Sequence, residues 1–166
     1  SITLLQKNSL DDDRGTHNIG GGNIDDVTGQ NNVGFGIDNL AYLVSGQDNN
    51  AFGNNSQISN SSGSYNTSFG NQTLNYHSSS DYNVAIGYQS LRGDNIGGTP
   101  SSDNNTAIGT FSLRLVDGGN SNTAIGYNSG NAITTGSNNV IIGSNTGSTI
   151  ATSSNNIIIS DGAGKI

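Results

Sequence analysis

The chain has 166 residues, of which 25 are glycine, 10% are charged and none is cysteine, and its formal net charge is −7. That length suits one domain. The missing thiols exclude disulfides and thiolate metal sites, and an acid excess with five basic residues argues against nucleic acid or anionic membrane surfaces as partners. No apolar run nears membrane-spanning length, so no membrane insertion is expected. A 30% hydrophobic share alone suggests disorder, but disorder usually brings high charge as well, and here charge is scarce.

In chain order, residues 1–17 are off-pattern and read as an N-terminal cap or connector. Ile2, Leu4, Leu5 and Leu10 are available there to cover a first coil. From Asn18 a string of the form Asn-x-small-Ile/Phe-Gly returns nine times, starting at Asn18, Asn32, Asn49, Asn66, Asn83, Asn105, Asn122, Asn139 and Asn156. The gaps are 14, 17, 17, 17, 22, 17, 17 and 17. A period near 17 is too short for helical-pair repeats and suits one coil of a β-solenoid.

Each unit can be numbered from its asparagine as position 1. Position 4 is Phe35, Phe52, Phe69, Ile86, Ile108, Ile125, Ile142 and Ile159. Glycine or serine near positions 5 and 15 marks two turns per unit. Between the turns lie two segments rich in residues that suit a pleated surface, positions 1–4 and roughly 9–13. These features predict an all-β parallel β-solenoid, a β-roll of about nine short coils with two strands per coil. The repeat domain covers 18–166, with a loop inserted at 92–102. Stacking would turn each column into a ladder, with the asparagine amides bonded up the stack. Position 4 is expected inside the coil, helped by positions 2, 9 and 12. The small residues at position 3 (Gly34, Ala51, Ser68, Ala85, Ala107, Ala124) would then face outward and admit another chain. A core that narrow calls for partners, and a parallel homotrimer is the expected solution.

Units such as Asn83-Val84-Ala85-Ile86-Gly87-Tyr88-Gln89-Ser90 and Asn122-Thr123-Ala124-Ile125-Gly126-Tyr127-Asn128-Ser129 resemble the head repeat of trimeric autotransporter adhesins. The family's fold is a left-handed parallel β-roll of three chains, and its head repeat has a 14-residue period. The 17-residue version is similar to stretches of phage tail fibres that precede an endosialidase-type chaperone. The ending Asn155-Asn156-Ile157-Ile158-Ile159-Ser160-Asp161-Gly162-Ala163-Gly164 resembles the junction before such a chaperone. The longer period, and the absence of an adhesin's neck, stalk or anchor pattern, favour the phage fibre. The resemblance implies a structural and adhesive segment of a virion tail fibre used in host attachment. Its partners would be itself, a host-surface glycan or protein, and other fibre proteins. The head of a bacterial adhesin is the alternative, and a polysaccharide-degrading tailspike comes third.

Chemistry finds little support in the residues. His17 and His77 are isolated, Glu is absent, and no nucleophile–base set stands at a sensible spacing, so no enzymatic activity is expected. Gly20-Gly21-Gly22-Asn23-Ile24-Asp25-Asp26 is close to a calcium β-roll motif but occurs once, and such sites need stacked copies; no metal and no cofactor are expected. Arg92-Gly93-Asp94 matches an integrin-binding tripeptide and reads as part of the inserted loop. Recognition favours loops on rigid scaffolds. The candidate receptor contacts are therefore Tyr76, His77, Tyr82, Tyr88, Arg92 and Asp94, at and around that loop.

Overall fold

The computed structural model describes residues 28–94 and 101–161. Eight three-residue strands fall on positions 2–4 of successive units: β1 Val33–Phe35, β2 Asn50–Phe52, β3 Thr67–Phe69, β4 Val84–Ile86, β5 Thr106–Ile108, β6 Thr123–Ile125, β7 Val140–Ile142 and β8 Ile157–Ile159. They pair in parallel, in sequence order, in one sheet. Like pairs with like throughout: Phe35 opposes Phe52, Ala85 opposes Ala107, and Ile125 opposes Ile142. The chain is an all-β parallel β-solenoid. Eight strands enclose seven full turns among the described residues, fewer than the nine coils expected, and rise about 34 Å at about 4.8 Å per turn. The unit beginning at Asn18, the cap over 1–17, and residues 95–100 of the inserted loop lie outside the described residues.

The asparagine column is buried from Asn32 to Asn139 and is joined side chain to side chain in two runs. Asn49 Nδ2 donates to Asn32 Oδ1 at 2.9 Å, Asn66 to Asn49 at 3.0 Å, and Asn83 to Asn66 at 3.0 Å. Above the insertion, Asn122 donates to Asn105 at 3.2 Å, Asn139 to Asn122 at 3.1 Å, and Asn156 to Asn139 at 2.8 Å. Each Oδ1 also accepts the backbone N–H of the next asparagine, and most Nδ2 groups donate a second bond to the position-15 carbonyl of their own unit. The 22-residue unit perturbs this pattern at one place. Asn83 turns its second bond to the Asp81 carbonyl, and only the Asn105 backbone N–H reaches Asn83 Oδ1. A second polar column stands at position 16. There Ser64, Asp81, Asp103, Asn120, Ser137 and Ser154 each accept the backbone N–H of the unit below. Two of the turn aspartates are therefore rungs of the stack.

On the strands the inside–outside assignment is the reverse of the expectation, while positions 9 and 12 face inward as expected. Position 3 is buried and position 4 is exposed, as the burial of each strand's middle residue shows. Leu74, Leu91 and Leu113 at position 9, with Val116 and Ile133 at position 12, fill the coil from the opposite wall. Only a small side chain fits against them from the strand, so Ala85, Ala107 and Ala124 point in and the large residues point out. Gly130 and Gly147, at position 9 of consecutive units, leave room between them for the larger Ile141 at position 3 of the second. A Cβ built on either glycine would lie 3.1–3.2 Å from the Ile141 Cδ1. Between the third and fourth units the pairing is polar, with Gln57 Nε2 donating to Ser68 Oγ at 2.8 Å.

The second strand of each coil is also absent among the described residues. Positions 7 and 9 are both left-handed, as at Gln72 (φ 57) and Leu74 (φ 48) or Phe111 (φ 61) and Leu113 (φ 47). That alternation breaks the pleat, although hydrogen bonds still join the coils, from Leu74 N–H to the Ser90 carbonyl and from Leu91 N–H to the Ser112 carbonyl.

The position-5 glycines satisfy two constraints at once. Gly109 sits at φ 128, and a Cβ there would lie 2.7 Å from the Gly126 carbonyl carbon of the next coil. Gly109→Ala should therefore destabilise by about 1–3 kcal/mol. Gly118→Ala, with positive φ but nothing within 4 Å, should cost less. Urea unfolding midpoints for the two variants compare them directly.

Candidate functional site

The outer face of the sheet carries an apolar stripe along the whole stack. Phe35 is 53% exposed and Phe69 61%, and Ile86, Ile108, Ile125, Ile142 and Ile159 continue the line. The phenylalanines stack ring on ring, with centroids 5.3 Å apart for Phe35 and Phe52 and 5.7 Å for Phe52 and Phe69. Surface stripes of this extent mark contact surfaces more often than plain solvent-facing wall.

The six candidate receptor contacts do not form one cluster. Tyr76 and Arg92 are brought together: the Arg92 guanidinium carbon lies 4.8 Å from the Tyr76 ring centroid, and Nη2 donates to the Tyr76 hydroxyl at 3.4 Å. Tyr82 stands on another corner, at position 17, stacked at 4.9 Å and 3° on Tyr65. Tyr88, at position 6, packs edge-on against Phe111 at 5.5 Å. Asp94 is half-buried beside Gly93. His77 is withdrawn from the surface altogether. It is 1% exposed, with its Nδ1 3.1 Å from Ser80 Oγ and its ring against Gly93. Position 12 is also buried at Leu43, Asn60, Val116 and Ile133, which is why a histidine that stands isolated in the sequence ends inside.

Sequence reasoning missed Arg114 and Gln89 as neighbours of this surface, which also holds Phe111 and Tyr127, two aromatics that stand off the position-4 register in the sequence. Arg114 occupies position 10, one coil above Arg92 in the same column. Its Nε donates to Gln89 Oε1 at 3.0 Å, and its guanidinium carbon lies 5.6 Å from the Phe111 centroid. Phe111 in turn contacts Tyr127 at 6.3 Å. The shared position 10 was the available signal.

Among the described residues, no group of three or more His, Cys, Asp or Glu lies close enough to hold a metal ion. The Gly20–Asp26 motif falls outside them. No helix among the described residues is long and apolar enough to cross a membrane. Comparison with protein-family models, curated proteins and solved structures returns no match to this chain.

Proposed function

We propose that the chain is a structural and adhesive segment of an extracellular trimeric fibre, a phage tail fibre of the virion used in host attachment. The observation that carries this reading is the position-4 stripe. One chain leaves eight consecutive large apolar side chains on the outer sheet face, in uniform register from β1 to β8. Parallel copies have the same rise per coil, so their stripes can pair coil by coil along the full length. Cyclic symmetry about the rod axis lets every copy turn the same stripe toward its neighbours, and a three-fold ring is one such closed arrangement. The likeness of the repeats to trimeric adhesin heads supports three. Chain contact is thus reassigned from the small position-3 residues, which are buried inside each coil, to positions 2 and 4.

A trimeric rod suits attachment because it presents each weak surface contact three times on one stiff body, which raises avidity without new chemistry. Two measurements test the reading. Sedimentation equilibrium at micromolar concentration should give the mass of three chains; a folded monomer there would refute the assembly. Deleting five residues from the 92–102 insertion, to restore a 17-residue unit, should leave the melting temperature unchanged and reduce adsorption of the fibre to its host cell. Unchanged adsorption would show that this segment is shaft and takes no part in recognition.

A further inference from the structure

We propose that Arg92 and Arg114 form a binding site for an acidic glycan, one whose sugars carry carboxylate or phosphate groups. The proposal rests on the adhesive reading above and names the class of receptor. These arginines are the only cations among the described residues, in a chain with formal charge −7. They stand in one column on consecutive coils, on the wall opposite the sheet and clear of the apolar stripe.

Both guanidiniums are held in place and left electrically uncompensated. Arg92 reaches down to Tyr76 at position 11 of the coil below, and Arg114 reaches down to Gln89 at position 7 of the coil below. The two heads therefore flank the column on either side. Each rests on an aromatic ring and donates one hydrogen bond to a neutral side chain. Neither is joined to a carboxylate among the described residues, and the adjoining segment 95–100 contains no carboxylate. Five N–H donors per guanidinium leave most of them for a ligand, in a planar fork that matches carboxylate and phosphate oxygens. Aromatic support fixes that fork in advance, so little freedom is lost on binding.

The surroundings select a sugar over an acidic peptide. In the position-10 column Asn131 follows Arg114, whereas Asn75, on the other side of Arg92, is buried and donates to the Asn55 carbonyl. Gln72 and Gln89 are bonded to each other at 2.6 Å beside them. Tyr88 and Tyr127 add exposed rings with polar tips on either side of Phe111. Amides that both give and accept hydrogen bonds suit hydroxyl groups, and tyrosine rings suit the apolar face of a pyranose.

Titration calorimetry with the intact trimer tests this. The probes are polygalacturonate, a ribitol-phosphate polymer, methyl-esterified polygalacturonate and poly-glutamate. Binding of polygalacturonate or the ribitol-phosphate polymer is expected, weakening as salt is raised, with no binding of the ester. Which of the two polymers binds tells carboxylate from phosphate. Arg92→Ala and Arg114→Ala should each weaken binding about tenfold, the double variant should abolish it, and Arg→Lys at either position should restore it only in part. The half-buried side chains do not enter the coil, so circular dichroism and melting should be unchanged in all variants. The site is refuted if neither polyanion binds, if the double variant binds as well as wild type, or if poly-glutamate competes equally. A fibre that still adsorbs to its host while this segment ignores both polyanions would reject the acidic-glycan site and leave the fibre reading standing.

Discussion

Asn122→Ala should cost the rod about 3 kcal/mol or more, because it orphans several buried groups at once, each worth about 1–3 kcal/mol. Asn122 Oδ1 accepts both the backbone N–H and the Nδ2 of Asn139, at 3.0 and 3.1 Å. Its Nδ2 donates to Asn105 Oδ1 at 3.2 Å and to the Gly136 carbonyl at 2.9 Å. The residue is buried, so water does not replace these partners. Asn122→Asp tests the cause. It keeps the acceptor, removes the donor and buries a charge, so it should be at least as damaging as alanine near neutral pH. Thr149→Ala, on the exposed 3-10 turn Ser148–Ile150, should change stability by less than about 0.5 kcal/mol. Denaturant midpoints decide. An alanine variant at Asn122 as stable as that control would mean that the ladder is an accompaniment of stacking and contributes little to holding the coils together.

The asparagine ladder was legible because it needs no knowledge of the coil's cross-section. A residue type repeated at a fixed period must stack on itself in any solenoid, and an amide can bond to its own copy. The inside–outside assignment needed that cross-section. Hydrophobicity sends Ile108 and Ile125 inward, but the interior is already filled by Leu91 and Leu113 from the other wall. The signal lay in the pairing of two columns on consecutive coils: where position 9 is leucine, position 3 of the next unit is alanine, as in Leu91 with Ala107 and Leu113 with Ala124, and where position 9 is glycine it is isoleucine, as in Gly130 with Ile141. The second strand was misread for a different reason. Left-handed backbone at Gln72, Leu74, Gln89, Leu91, Phe111 and Leu113 falls on residues that do not favour it, and residue type gives no warning. The candidate recognition surface was half legible. Tyr76 and Arg92 lie 16 residues apart, almost one period, so their meeting follows from the repeat. His77 follows Tyr76 directly, and a single step along the chain turned it into the coil.

Ala124→Leu and Ile125→Ser, neighbours on one strand, should fail in opposite ways. Ala124 is fully buried, and its Cβ comes within 3.4 Å of where a side chain on Gly130 would begin, beside Leu113 and Ile141. Three extra heavy atoms there meet filled space on all sides, so the coil must open at a cost of about 1–3 kcal/mol, and the melting temperature should fall. Ile125 points the other way and is 40% exposed in a single chain. Replacing it with serine should cost an isolated chain less than about 1 kcal/mol and leave the circular dichroism spectrum intact. At the proposed seam between chains, the same change removes an apolar contact worth about 1.5–3 kcal/mol when fully buried, repeated in all three chains. Sedimentation should therefore show Ile125→Ser dissociating at concentrations where wild type remains assembled. The reverse pattern, an unfolded Ile125→Ser and a stable Ala124→Leu, would return position 4 to the inside of the coil. If Ile125→Ser alters neither fold nor mass, the stripe is not where the chains meet.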